Sequence, residues 1–115
     1  MEMKHEVKEG VLVIYLNGHL LGAQANTVVM GVVFQNIEAG IKKVVFNLKG
    51  VNYVDSAGLG MLLSAVSKIK NAGGQLVICN LSEQVVKLLK TTKVESVFRI
   101  GASEEASVEL LKALN

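Results

Sequence analysis

The chain of 115 residues has no proline, no tryptophan, one cysteine and only five aromatic residues, two Tyr and three Phe. With so few rings, the core has to be assembled from Val, Leu, Ile and Ala, which supply most of the hydrophobic half of the composition. One cysteine excludes an intramolecular disulfide and a cysteine-rich zinc site. Cys79 ends the apolar run Leu76-Val77-Ile78-Cys79, where a buried, inert thiol is expected. Charge of one sign is equally scarce. The net charge is +2 with lysines and acids mixed along the chain, and no basic run carries interleaved aromatics, so neither nucleic acid nor an anionic membrane is an expected partner. No run of 18 apolar residues is present, which argues against membrane insertion. The first ten residues are charged throughout and lack the apolar stretch of a signal peptide, so a cytoplasmic location is expected. Two histidines, His5 and His19, give no ligand spacing, and neither a metal nor a cofactor is expected.

What is present reads as one domain over residues 1–115, long enough to bury about two thirds of its unfolded surface. Residues 7–16 suggest two short strands around a Glu9-Gly10 turn. The second, Val11-Leu12-Val13-Ile14-Tyr15-Leu16, is apolar enough for a strand covered on both faces, and Asn17-Gly18 is expected to end it. Residues 22–39 suit a helix by length and by the βαβ alternation they create. Their middle, Val28-Val29-Met30-Gly31-Val32-Val33-Phe34, is apolar all round and rich in β-branched residues. Such a helix must hide its outer face, and a partner such as a second copy covering Val29, Val33 and Phe34 would do so.

Residues 42–48 form the next expected strand, with a break at Lys49-Gly50 before Val51 to Val54 lead into a turn. Leu59, Leu62, Leu63, Val66 and Ile69 then recur at helical spacing, giving a helix from Ser56 or Ala57 to about Asn71, stopped by Ala72-Gly73-Gly74. A strand over 75–79 and a helix over 83–91 capped near Ser82 follow. A short edge strand over 97–100 precedes a last helix, capped by Ser103 and running to Leu114, with Glu104 and Glu105 in its first turn and Lys112 in its last. The order β-β-α-β-α-β-α-β-α describes an α/β domain with a mixed sheet of four or five strands and about four helices.

The chemistry concentrates in the turn Asp55-Ser56-Ala57-Gly58-Leu59-Gly60, where a strand gives way to a helix. A Ser or Asp there is a natural N-cap, accepting free N–H groups of the first turn. Those same groups and the positive end of the helix dipole would tolerate a phosphate on Ser56. A serine hydrolase would need a nucleophile elbow, but Val54-Asp55-Ser56-Ala57-Gly58 lacks its leading glycine. No Gly-Lys-Ser/Thr follows Gly58-Leu59-Gly60, whose glycines read as a tight entry into the helix. No catalytic residue is assigned, and the chain is not expected to be an enzyme.

The hexamer Asp-Ser-x-Gly-Leu-Gly, preceded by Tyr53-Val54 and followed by an amphipathic helix, Gly73-Gly74 and an apolar strand, resembles the STAS domain. The resemblance covers nearly the whole chain and is strongest to the bacterial anti-sigma factor antagonists. It implies a single STAS-like fold and a non-enzymatic protein–protein switch. In such antagonists the Ser after the Asp, Ser56 here, is phosphorylated by an anti-sigma factor that is itself a serine kinase. The unphosphorylated antagonist sequesters that kinase, and a serine phosphatase restores the binding form. The implied partner surface comprises Asp55, Ser56, Ala57, Gly58 and Leu59 with the loop at His19 and Leu21. This sequence departs from the family there, with His19-Leu20-Leu21 where antagonists commonly carry two acids, which implies a more hydrophobic partner surface. A second implication is a STAS scaffold or subunit of a lipid-transport or signalling assembly, docking through the apolar first helix, with Ser56 only a helix cap.

Overall fold

A computed structural model describes residues 2–20 and 22–114, apart from the side chains of residues 20 and 22–25. The elements are β1 (Glu2–Lys8), β2 (Val11–Leu20), α1 (Gly22–Glu38), β3 (Lys43–Val54), α2 (Ser56–Asn71), β4 (Gln75–Cys79), α3 (Glu83–Thr91), a 3₁₀ turn (Glu95–Val97), β5 (Arg99–Gly101) and α4 (Glu104–Lys112). The five strands lie side by side in chain order, with β1 antiparallel to β2 and every later neighbour parallel. Parallel neighbours need crossover helices, and right-handed crossovers between strands added in one direction all fall on one face. α1, α2 and α3 therefore share a face, and the chain returns through α4 to cover the other.

Side-chain alternation divides the core accordingly. Leu12, Ile14, Leu16, Val44, Phe46, Leu48, Leu76 and Ile78 face the three crossover helices, where they meet Leu62, Ile69, Val85 and Leu89. Val11, Val13, Val45, Val77 and Cys79 face α4 and pack on Val108 and Leu111. Each central strand is buried on both faces, which is why its sequence is an unbroken apolar run.

Two expected boundaries fall away. Asn17-Gly18 does not end β2, and Lys49-Gly50 does not break β3. Pairing between the two strands continues through both dipeptides, with register slips between Tyr15 and Asn17 and between Gly18 and His19. At each slip β3 carries one extra residue, the signature of a bulge. Gly18 makes this possible with a φ of 96°, and Gly50 lies so close to the Asn17 side chain that a Cβ has no room. β1 also begins earlier than expected, at Glu2, and the last strand is shifted to Arg99–Gly101 because Val97 belongs to the 3₁₀ turn.

The helix at residues 22–38 forms despite its β-branched sequence, because β2 and β3 are parallel and something must cross between them. Its buried face is not the one anticipated. Val29 and Val33 are both fully buried, in the same core cluster as Met30 and residues of α2. They are core residues, not a surface for a second copy. The outer face retains Val28 at 49% exposure and Phe34 at 42%, and the Lys68 ammonium of α2 lies 5.7 Å from the Phe34 ring centroid.

Candidate functional site

The site is built where the β3 strand passes into α2. Asp55 holds an extended backbone (φ −87°, ψ −177°) and caps the helix, its Oδ1 accepting the Gly58 N–H at 2.7 Å while its carbonyl accepts the Leu59 N–H at 2.9 Å. Ser56 is therefore the first helical residue and not the cap, which corrects the reading of its hydroxyl as a capping group. Its side chain is exposed, and among the described residues it has no hydrogen-bond partner. Ala57 beside it is also exposed, whereas Gly58 is buried under the turn and Leu59 is half-buried against the core. Gly60 is exposed, with nothing within 4 Å of where a Cβ would sit, so the helix entry itself does not require a glycine there.

The register between the two bulged strands brings His19 opposite Tyr53, and their rings meet at 5.8 Å with a 52° tilt. Both are exposed, Tyr53 by 55%. His19 thus stands at the same end of the sheet as Ser56. Leu21, which the resemblance to the antagonists implied for the same surface, lies outside the described residues.

Sequence reasoning missed the flank of this surface. A shallow groove of about 330 Å³ runs between the end of β3 and α3, lined by Asn52, Tyr53, Val54, Gln84, Val85 and Leu88. Tyr53 was visible as an aromatic at a strand end. Gln84 and Leu88 could not be placed beside it until β3 and α3 were folded together.

On the opposite face of the same strand ends lies a larger hollow of about 880 Å³, whose lining includes Tyr15, Asn47, Asn80 and Glu104. Two of its polar side chains, Asn47 and Glu104, are engaged with each other and with neighbours. Lys8 donates to Glu104 Oε2 at 2.6 Å, Asn47 Nδ2 donates to Glu104 Oε1 at 3.0 Å, and Asn47 Oδ1 accepts the Lys49 N–H at 3.0 Å. Burial alone would push the Glu104 carboxyl up, but its hydrogen bonds from Lys8, Asn47 and Tyr15 outweigh that and hold it below its ordinary value. Cys79, on this face, is fully buried, and burial pushes its thiol up, as expected of an inert cysteine.

Residues 2–107 match the family described as the STAS domain. The chain belongs to the STAS domain family. Within that family, an anti-sigma F factor antagonist of Paenibacillus polymyxa is 26% identical over 115 residues, covering 100% of this chain and 97% of its own. An anti-sigma-B factor antagonist of Bacillus subtilis (strain 168) is 37% identical over 62 residues, 54% of this STAS domain and 57% of the relative. Among solved structures, the phosphorylated form of the Bacillus cell fate determinant SpoIIAA superimposes with a TM-score of 0.72 at 21% identity, over 95% of this chain and 98% of that one. That likeness establishes the fold, a mixed five-stranded sheet with four helices. Among the described residues no helix is long and apolar enough to cross a membrane.

Proposed function

We propose that this STAS domain is an anti-sigma factor antagonist, switched by reversible phosphorylation of Ser56. The names of its relatives, anti-sigma factor antagonists, support this class of partner. The observation that carries the reading is the division of labour at the head of α2, where Asp55 caps the helix and leaves Ser56 exposed, its hydroxyl without a hydrogen-bond partner among the described residues. A kinase transferring the γ-phosphoryl of ATP forms a bond from phosphorus to the Ser56 Oγ, releases ADP and takes up the hydroxyl proton. Hydrolysis by a phosphatase reverses the modification. The added charge of about −1.5 to −2 sits at the positive end of α2, where it gains on the order of 0.3–1 kcal/mol. At a fitted interface the same charge costs several kcal/mol through desolvation and repulsion. Binding therefore changes while the fold does not.

In this reading the unphosphorylated protein sequesters an anti-sigma factor kinase through Ser56, Ala57, Tyr53 and His19, with the groove beside α3 receiving part of the partner. Asp55 and Gly58 hold the turn in shape, and Leu59 anchors it to the core. Val29 and Val33 are both fully buried, so a scaffold cannot dock through them. The test is incubation with the cognate anti-sigma factor kinase and ATP, with the phosphate mapped by mass spectrometry. A single phosphate on Ser56 is expected, and Ser56→Ala should stay unlabelled. Undiminished labelling of Ser56→Ala would remove this site from the mechanism.

A further inference from the structure

β1 is the outer strand of the sheet, bonded to β2 along one side, and no other described strand pairs with it. Its sequence, Glu2-Met3-Lys4-His5-Glu6-Val7-Lys8, is self-complementary about His5. When two copies are laid antiparallel with His5 opposite His5, Glu2 faces Lys8, Met3 faces Val7 and Lys4 faces Glu6, each pair occurring twice. The register with β2 fixes the faces. Met3, His5 and Val7 lie opposite Leu16, Ile14 and Leu12 and share the face of α1, α2 and α3. Glu2, Lys4, Glu6 and Lys8 lie opposite Asn17, Tyr15, Val13 and Val11 and share the face of α4. A two-fold axis normal to the sheet keeps every side chain on its own face. The ionic pairs then form one ladder, and the apolar pairs flank the two histidines on the other side.

Charge selects this register. A shift of two residues one way sets Lys4 against Lys4 and Glu2 against Glu6. The same shift the other way sets Glu6 against Glu6 and Lys4 against Lys8. Edge strands ordinarily use charge to repel a second chain. Here the pattern attracts one, because opposite charges facing across a strand pair stabilise it and like charges do the reverse. Lys4, His5, Glu6 and Val7 are exposed and available, Val7 by 48%. Lys8 is shared with Glu104 at 2.6 Å and Glu6 at 3.8 Å, so the two central Lys4 to Glu6 pairs decide the alignment.

We propose that two copies of this chain associate through β1, antiparallel about His5, joining their five-stranded sheets into one continuous sheet of ten strands. The interface is isologous and closed, so it forms a dimer and not a filament. Ser56 follows β3, two strands in from this edge, so the dimer presents two switch sites.

Analytical ultracentrifugation over a concentration series tests this, with circular dichroism confirming that each variant is folded. The wild type should move from 12.3 kDa toward twice that mass. Lys4→Glu or Glu6→Lys alone sets like charges against each other in two symmetry-related pairs and should weaken dimerisation by about tenfold or more. The exchanged variant Lys4→Glu with Glu6→Lys should regain wild-type association, and Phe34→Glu, on the outer face of α1, should leave it unaltered. A protein that stays monomeric into the millimolar range would overturn the proposal. So would single reversals without effect, an exchanged variant as weak as the singles, or a dimer lost in Phe34→Glu.

Discussion

Asp55 accepts the Gly58 N–H at 2.7 Å while Ser56 beside it faces solvent, and the two residues should respond to mutation in opposite ways. Asp55→Ala removes the cap of α2 and should lower the unfolding free energy by about 1 kcal/mol, read as a shift in urea midpoint, while Asp55→Asn should keep most of it. Ser56→Ala should change stability by less than about 0.5 kcal/mol, because the residue is exposed and its hydroxyl bonds to none of the described residues. A pH signature belongs to Glu104. Its folded carboxyl titrates below its ordinary value of 4.5, so the stability it contributes is fully present above pH 4.5. That contribution is lost as pH falls through the lower folded value. Glu104→Gln should thus be less stable than the wild type at pH 7, and its urea midpoint should fall less steeply on acidification. Equal slopes for the two proteins would show that the contacts from Lys8 and Asn47 do not favour the charged form.

Among the elements, α1 offers the clearest contrast between packing and surface. Gly31 is exposed in mid-helix with nothing within 4 Å of a Cβ position, so Gly31→Ala should stabilise the protein by about 0.5–1 kcal/mol in thermal or urea unfolding. Val29→Asp and Val33→Asp should instead unfold it, since each buries a charge among apolar neighbours. The sequence of α1 concealed which side was which, because residues apolar all round supply no phase. α2, α3 and α4 were legible, each having an apolar stripe, with α3 and α4 also marked by their caps at Ser82 and Ser103. The continuity of β2 and β3 was not legible, because bulges carry strand pairing through Gly18 and Gly50, which in a sequence look like terminators. The head of α2 could be read as an anion-tolerant turn. Whether Asp55 or Ser56 was the cap could not, since either side chain accepts the same N–H, and the flank from Gln84 and Leu88 depended on where α3 came to rest.

For the molecule as a whole, the proposed switch requires that a charge added at the head of α2 alter docking and leave the fold intact. The numbers separate the two effects. A gain on the order of 0.3–1 kcal/mol at the helix start is outweighed at an interface, where an opposed or desolvated charge costs several kcal/mol. The β1 edge is a separate surface, so the switch should operate in monomer and dimer alike. The direct measurement compares Ser56→Asp with wild type in two readouts, affinity for the cognate anti-sigma factor by calorimetry and melting temperature of the free protein. The expected result is an affinity loss of about a hundredfold or more, with a melting temperature within about 4 °C of wild type, the shift that roughly 1 kcal/mol produces in a domain of this size. Wild-type affinity in Ser56→Asp, or loss of binding only because the variant has unfolded, would contradict the account.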